Sequence, residues 1–439
     1  MHLGAFLYGV GHHLAAWRHA SVDPRAGGSF EHFKQLAQLA ERGAFDALFL
    51  ADNVGLSPAP SALLSRAGPP AYYFDPLMLL ASLATVTERI GLVATVSASY
   101  LPPFHLARKF ASLDHLSHGR TGWNLVTSGT DWEARNFGFE HQLSHAVRYE
   151  RAAEYVKVVK ALWDSWEDQP TTLDDERTRY LDPHKLHRVE HRGEYFKVQG
   201  ALQIERPIQG YPVLVQAGSS SDGQGLAAAT AELVFTAQQS LEGAQAFYRG
   251  LKGQVVAAGR SPDAVKILPG IMPILGDTDA AARAEYEYLQ SLLDPALCVG
   301  LLSAFLGNVD LSGYPLDGPF PDLPLTEGWQ SRHRLFSDLA RRDKLTLGQL
   351  ATRAASARGH WVVVGSAKTI VDQMEQWFVE GAADGFNILA PTLPAGLEAF
   401  VTQVIPELRR RGLFRDAYRG NTLREHLGLA RPPHPLAHR

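Results

Sequence analysis

Short apolar runs that alternate with helical patterns constrain the fold of this chain more than any other feature. Eight runs are nearly continuous, and they cover 3–9, 46–52, 90–99, 122–128, 212–218, 233–237, 267–275 and 385–391. A continuous apolar run is typical of a strand that is buried on both faces, as in a parallel sheet. Helical patterns fill the intervals, for example at 29–43, 75–89, 103–117 and 148–166. Eight strands alternating with helices predict an α/β fold, the (β/α)8 TIM barrel.

We expect one barrel domain over 1–439 that carries two insertions and a tail. The intervals 167–211 and 276–384 are longer than a single helix requires and are therefore predicted to be insertions. The tail, 406–439, has eight arginines against three acidic residues. We expect this tail to be solvated, and the alternative is an arm that contacts another subunit.

Charge and cysteine content exclude several classes of protein. The chain of 439 residues has 42 basic and 46 acidic side chains, so no broad cationic field favours nucleic acid or an anionic membrane. The lone cysteine, Cys298, has no internal disulfide partner, which suits a reducing cytosol. We find neither a secretory signal pattern nor an apolar run of about 18 residues, and we expect a cytoplasmic protein with no membrane span.

Polar residues cluster where the predicted strands end, which is the active-site face of a TIM barrel. The cluster comprises Asp52, Asn53, Ser97, Ser99, Tyr100, Thr127, Ser128, Asp131, Asn387 and Thr392, with His12, His13 and Trp17 near the first strand. The set has no paired carboxylates and no Ser-His-Asp order. It is instead rich in hydroxyl groups.

The clearest candidate for an anion site is the segment VQAGSSSDGQG, 215–225. Its glycines allow backbone N–H groups to converge, its serines add donors, and a helix that begins near Gly223 would add a positive N-terminal end. The alternative is an ordinary turn between a strand and a helix. Neither a P-loop nor a dinucleotide fingerprint is present.

The segment LSHAVRYERA, 143–152, is the second candidate. Ser144 has the character of a helix cap, and His145 and Tyr149 are four residues apart, so both lie on one face of the predicted helix. This face either points at a ligand or serves only for capping and packing.

Three histidine patterns have metal-like spacing, but none predicts a metal site. His12 and His13 are adjacent and diverge, and His115 and His118 lie at a helix end where the dipole favours histidine. His184, His187 and His191 have helical spacing but lie in a predicted insertion. Similarly, the Gly-Ser-Ala-Lys of 365–368 is interpreted as a helix start capped by Ser366 rather than as a nucleotide loop.

Three long stretches resemble one family. They are FASLDHLSHGRTGWNLVTSGTDWEARNFG (110–138), HAVRYERAAEYVKVVKALWDSWED (145–168) and VLVQAGSSSDGQGLAA (213–228). GHHLAAWR (11–18), FDALFLAD (45–52) and GAADGFNILAP (381–391) fit the same pattern. The chain resembles the bacterial luciferase-like superfamily, in the group of nitrilotriacetate monooxygenase, dibenzothiophene sulfone monooxygenases and pristinamycin synthase subunits.

The resemblance implies a flavin-dependent monooxygenase of a two-component system. Reduced FMN from a separate NAD(P)H-dependent flavin reductase would react with O₂, and the resulting peroxyflavin would oxygenate a small organic substrate. The implied FMN contacts are Asp52, Ser97, His145, Tyr149, Ser219 and Ser220. His145, and less directly His12, are the expected catalytic residues. The resemblance also implies a homodimer or homotetramer, and a cis peptide bond near Ala98–Ser99.

Three alternatives remain open. One is a deazaflavin-dependent oxidoreductase of the same fold, another is a flavin-binding relative without turnover, and the third is a metal-dependent barrel hydrolase. The substrate is not defined, but the apolar character near the strand ends and the absence of an evident arginine cluster favour an apolar or aromatic compound over a polyanion.

Overall fold

The computed structural model describes residues 1–56, 59, 61–68, 73–172, 177–218, 220–324 and 330–436. Its strands are β1 (His2–Leu7), β2 (Ala47–Leu50), β3 (Gly91–Ser97), β4 (Thr121–Val126), β5 (Glu190–Arg192), β6 (Lys197–Gln199), β7 (Val213–Gln216), β8 (Leu233–Thr236), β9 (Lys266–Leu275), β10 (Trp361–Gly365) and β11 (Gly385–Ile388).

The helices follow the strands along the chain. They are α1 (Phe30–Arg42), α2 (Ser61–Leu64), α3 (Pro76–Ala84), α4 (Pro103–Leu116), α5 (Asp131–Arg135), α6 (His145–Trp163), α7 (Ser221–Thr230), α8 (Leu241–Ala257), α9 (Asp279–Ser291), α10 (Pro295–Phe305), α11 (Gln330–Asp343), α12 (Leu347–Ala357), α13 (Ala367–Val379), α14 (Ala395–Ala399), α15 (Ile405–Arg410) and α16 (Leu423–His426).

Eight parallel strands close into a barrel in the order β1-β2-β3-β4-β7-β8-β9-β11, and β11 pairs back with β1. Each barrel strand overlaps one of the eight apolar runs, so the predicted (β/α)8 TIM barrel is confirmed. The strands are apolar on both faces because one face packs on the helices and the other fills the barrel. The additional strand β10 pairs with β9 at Ile271–Leu275, beyond the part that pairs with β8.

Capping residues set several helix starts as the sequence predicts. The side chain of Asp75 accepts hydrogen bonds from the backbone N–H groups of Leu77 and Met78 at the start of α3. Ser366 caps α13 by accepting from the N–H of Thr369. Each cap satisfies backbone donors that have no partner within the helix.

The C-terminal tail is not solvated, and that prediction is wrong. Leu423 is fully buried against Gly91 and Gly122, which lie at or next to the first residue of β3 and β4 at the base of the barrel. Arg424 pairs with Glu232 through two bonds of 2.6 and 3.0 Å. The tail therefore covers the N-terminal ends of the strands, and Arg424 can be buried there because it has an acidic partner about 190 residues away in the sequence.

The two long intervals differ in structure. The interval after α6 contains an antiparallel hairpin, β5 and β6, whereas the interval after β9 contains α9 to α12, with α10, α11 and α12 packed around their own apolar cluster. Two of these helices, α10 and α11, contribute residues to the space above the strand ends.

Two further expectations concern the backbone and membranes. The peptide bonds at Ala98–Ser99 are trans, and the cis bond found among the described residues is Leu393–Pro394. The predicted cis bond is therefore wrong.

No single helix in the described ranges is long and apolar enough to cross a membrane. The helices α9 and α10 meet that test only when joined, and the pair is bent by 88°.

Candidate active site

A cavity of about 780 Å³ opens above the carboxyl ends of the barrel strands. Its wall includes residues that follow or end β1, β2, β3, β4, β7 and β8. Among the predicted site residues it brings together Asp52, His12, His145, Tyr149 and Ser220. Ser219 lies outside the described residues.

The floor of the cavity combines aromatic rings with two amides. The ring of Phe6 contacts those of Phe49 and Phe235 at centroid distances of 4.9 and 5.6 Å. The side chains of Asn124 and Gln216 rise from β4 and β7, and the buried Oδ1 and Oε1 atoms of these residues accept no hydrogen bond within the described structure. A buried acceptor without a partner is costly, so this floor is built for a ligand that donates.

The predicted anion loop has the geometry of a helix N-terminus. Ser220 caps α7, and its hydroxyl accepts from the N–H of Gly223 at 3.2 Å. A Cβ at Gly218 would lie 3.1 Å from the Cα of Gly223 and 3.5 Å from the hydroxyl oxygen of Tyr149, so glycine keeps this loop open. The backbone N–H groups and the positive end of α7 favour an anion here.

His145 and Tyr149 face the cavity from the first turns of α6. Their ring centroids are 4.8 Å apart, as the spacing of four residues predicts. The Nδ1 atom of His145 lies 2.9 Å from Oδ2 of Asp222, in the first turn of α7. The helix α6 thus brings an imidazole and a phenol to the anion loop.

His12 is buried in the cavity wall and is neutral. Its Nε2 lies 2.9 Å from the carbonyl oxygen of Phe6, and because a carbonyl only accepts, Nε2 carries the proton. The other ring nitrogen, Nδ1, is a buried acceptor without a partner in the described structure. Burial lowers the pKa of His12 to about 3. His12 is therefore a hydrogen-bond acceptor at neutral pH rather than a group that cycles a proton.

Asp52 follows β2 and lines the cavity. Burial raises the pKa of its carboxyl group to about 6, against a lowering by the N–H of Asn53, which donates to Oδ1 at 2.8 Å. The charges of Asp75 and Glu133 raise the pKa further. A carboxyl group of this kind is easily protonated near neutrality and responds strongly to a ligand.

Ser97 lies one step behind the cavity wall. Its hydroxyl is buried and 2.9 Å from that of Ser128, which does line the cavity. Thr95, two residues earlier on the same face of β3, reaches the cavity directly and accepts a hydrogen bond from the amide of Asn124 at 2.8 Å.

Other cavity residues escaped the sequence analysis. They are Thr95, Asn124, Gln216, Arg148, Arg332, Arg358 and His360. Asn124 and Gln216 were detectable, because each is a polar residue inside an otherwise apolar strand. Arg332 and Arg358 come from α11 and from the end of α12, in an interval that offers no motif.

Two histidines of the third pattern pair with acidic residues in the described structure. His187 pairs with Glu167 and His191 with Glu154, at 2.8 Å in both cases, and His184 is exposed. Glu167, His187 and His434 lie close enough to share an ion. However, His434 uses Nε2 toward the carbonyl of Asp164 and Nδ1 to accept from Leu436, so neither nitrogen is available.

Several known proteins are similar to this chain over almost their whole length, in sequence or in structure. N-acetyl-S-(2-succino)cysteine monooxygenase of Bacillus subtilis (strain 168) is 48% identical over 98% of this chain and 97% of that protein. Nitrilotriacetate monooxygenase component A of Aminobacter aminovorans is 46% identical over 100% and 98%. The solved structure of riboflavin lyase with modified FMN and riboflavin superposes with a TM-score of 0.89 at 30% identity, covering 99% of this chain and 97% of that chain.

These similarities confirm the predicted class, a flavin-dependent monooxygenase, and support it over the deazaflavin alternative. The family model described as luciferase-like monooxygenase matches residues 10–385. The chain therefore belongs to the luciferase-like monooxygenase family.

Proposed function

We propose that this chain is the oxygenase component of a two-component system. It takes reduced FMN from a separate NAD(P)H-dependent flavin reductase and uses O₂ to oxygenate a small organic substrate. One observation carries the proposal: the same cavity joins an anion-binding helix N-terminus, at Ser220, to unpaired amide oxygens on Asn124 and Gln216. A phosphate and a polar ring edge are what such a cavity accommodates.

The phosphate end of FMN fits the loop after β7. Ser220 and the N–H groups of α7 would hold the phosphate, with the hydroxyl of Tyr149 beside them. His145, with Asp222 behind it, would add a second donor. The resemblance adds Ser219 to this set.

The ring end fits the barrel mouth. A flavin ring has an N–H donor between two carbonyl acceptors, and Asn124 and Gln216 offer amides whose oxygens lack partners. Asp52 and Thr95 border the same floor, and Ser97 supports it through Ser128. The aromatic floor of Phe6, Phe49 and Phe235 keeps water away from the reacting atoms.

Reduced FMN, when bound, supplies the electrons with which O₂ is activated. The residues of the chain orient the reactants and handle protons. His12 lines the cavity and its Nδ1 has no partner in the described structure, so this neutral ring would accept a hydrogen bond from a ligand without becoming protonated. His145, at the cavity edge and paired with Asp222, is the proposed proton donor and acceptor.

The test is an anaerobic titration with reduced and with oxidised FMN, followed by rapid mixing with O₂. We expect tight preference for reduced FMN and O₂ uptake that depends on an organic substrate. Binding of a deazaflavin in place of FMN, or FMN binding with no substrate-dependent O₂ uptake by any compound tested, would contradict the proposal. The second result would indicate a flavin-binding relative without turnover.

The homodimer or homotetramer and the cytoplasmic location implied by the resemblance are part of this proposal. Sedimentation at micromolar concentration measures the first. A reductase that delivers reduced flavin by transient contact needs only free diffusion between the two components, so no stable complex with it is expected.

A further inference from the structure

The wall of the cavity has more basic than acidic side chains. Three guanidinium groups line it, those of Arg148, Arg332 and Arg358. Among the described lining residues Asp52 is the only acid, and burial raises the pKa of its carboxyl group to about 6. His12 and His360 add no charge, because burial and neighbouring guanidinium groups hold the pKa of each imidazole well below the normal range. Arg148 donates to the carbonyl oxygen of Ser128 and Arg332 to the ring of His360, so Arg358 is the guanidinium whose charge an anionic ligand would offset.

The FMN phosphate does not account for Arg358. The phosphate loop follows β7, whereas the guanidinium of Arg358 lies 4.4 Å over the ring of Tyr8, the residue that follows β1. In the closed ring of eight strands, β1 and β7 are four strands apart and therefore on opposite sides of the mouth. The charge of Arg358 also contributes to the lowered pKa of His12, which follows the same strand as Tyr8.

Arg358 is held in position but has no counter-ion in the part of the chain that the structure describes. It is the C-cap residue of α12, with φ 54°, and Tyr8 supports its guanidinium from one face. Among the described residues it forms no ion pair, and its buried Nε has no acceptor. A fixed guanidinium with free N–H groups matches the two oxygens of a carboxylate.

We propose that Arg358 binds a carboxylate of the substrate, so that this enzyme oxygenates a small organic acid rather than a neutral apolar compound. The inference rests on the proposed function, because it assumes that FMN fills the β7 side. It replaces the apolar or aromatic substrate that the sequence favours. A neutral substrate would bury Arg358 with no partner, and the cost of that burial selects against it.

The experiment compares an acid with its own ester. The probes are N-acetyl-S-(2-succino)cysteine, which has three carboxylates, and its uncharged trimethyl ester. Anaerobic protein is first titrated with reduced FMN and then, saturated, with each probe by calorimetry. We expect the acid to bind at least about tenfold more tightly than the ester. In Arg358→Met this preference is lost, and Arg358→Lys, which keeps the charge, retains part of it.

Arg353→Met is the matched control. It removes an exposed arginine of the same helix that pairs with Asp343, and it should keep the preference for the acid. Equal binding of acid and ester by the native protein, no binding of the acid, or an unchanged preference in Arg358→Met would overturn the inference. Since reduced FMN binding is measured first in each sample, failure of the proposed function appears separately, as loss of that first titration.

Discussion

The two ends of the barrel use buried polar groups in opposite ways. At the base, Arg120 is 2% exposed and donates five hydrogen bonds, to Thr87 twice and to Ser117, Ile90 and Ala84. At the mouth, Asn124, Gln216 and His12 are buried as well, yet each keeps an acceptor without a partner in the described structure. The base is closed by its own chain, and the mouth is left open to a ligand.

Buried polar groups therefore stabilise the fold at the base more than at the mouth. Polar groups at the base connect helices, strands and the C-terminal tail, so removing one leaves several partners unpaired. Polar groups at the mouth contribute little to the stability of the free protein, because a bound ligand would supply their missing partners. Substitutions at the base should therefore change stability, and substitutions at the mouth should change ligand affinity.

Arg120→Met tests the base and should have the largest effect. The substitution leaves four backbone carbonyls and the Thr87 hydroxyl without their donor, and we expect a loss of about 3–5 kcal/mol in the free energy of unfolding, measured by urea denaturation. Arg108→Met, which removes an exposed arginine from α4, is the control and should change stability by less than about 0.5 kcal/mol. If the two variants have the same free energy of unfolding, the hydrogen bonds of Arg120 do not stabilise the base.

Tyr149→Phe tests the mouth at the phosphate end. Loss of one hydrogen bond to a charged group costs about 1.5–3 kcal/mol, so affinity for reduced FMN should fall by about tenfold or more. Affinity for reduced riboflavin, which has no phosphate, should stay the same. Tyr155→Phe is the control on the same helix: its hydroxyl bonds the carbonyl of Leu101, so stability should fall while FMN affinity holds. An equal loss of affinity for both flavins would mean that Tyr149 does not bind the phosphate.

The sequence predicts the barrel and the loop that we propose for the phosphate because both depend on local patterns. Apolar runs define the strands, and the glycines and serines of 217–225 define the loop after β7. Asn124 and Gln216 interrupt apolar runs, so the same local pattern could have identified them as candidate site residues. Arg358 could not be identified in this way. Its position opposite β7 depends on how α12 packs across the mouth, and no local pattern predicts that packing.

The tail illustrates the same limit at the base. A stretch with eight arginines is solvated by default, and only the folded chain shows that Glu232 and Asp168 face Arg424 and Arg431. Partners separated by more than 190 residues cannot be paired from one sequence. The core pattern is local, whereas the charge pairing is not.

Gln216→Met compares the two ends through one chemical change. At the mouth it removes a buried acceptor that has no partner, so the free protein should gain about 1 kcal/mol of stability while affinity for reduced FMN falls roughly fivefold. The same change at the base, Gln209→Met, removes bonds to Asp114, Thr121 and Arg424 and should lower stability by about 2 kcal/mol without changing FMN affinity. Changes of the same sign in both variants would remove the distinction between the ends.

Asp52→Asn should have the smallest effect, and its sign depends on pH. The pKa of Asp52 in the folded protein is about 6, above the ordinary 3.8, so between these values the folded protein holds a proton that the unfolded chain has released. The stability that Asp52 contributes is therefore present at low pH and lost as the pH rises through 6. Asparagine stays neutral, so Asp52→Asn should gain about 1 kcal/mol relative to the native protein between pH 5 and pH 7, measured by urea denaturation without flavin. The control variant Asp416→Asn, at an exposed position, should show no such trend. If the stability of both variants changes with pH in the same way, the mouth does not raise the pKa of Asp52.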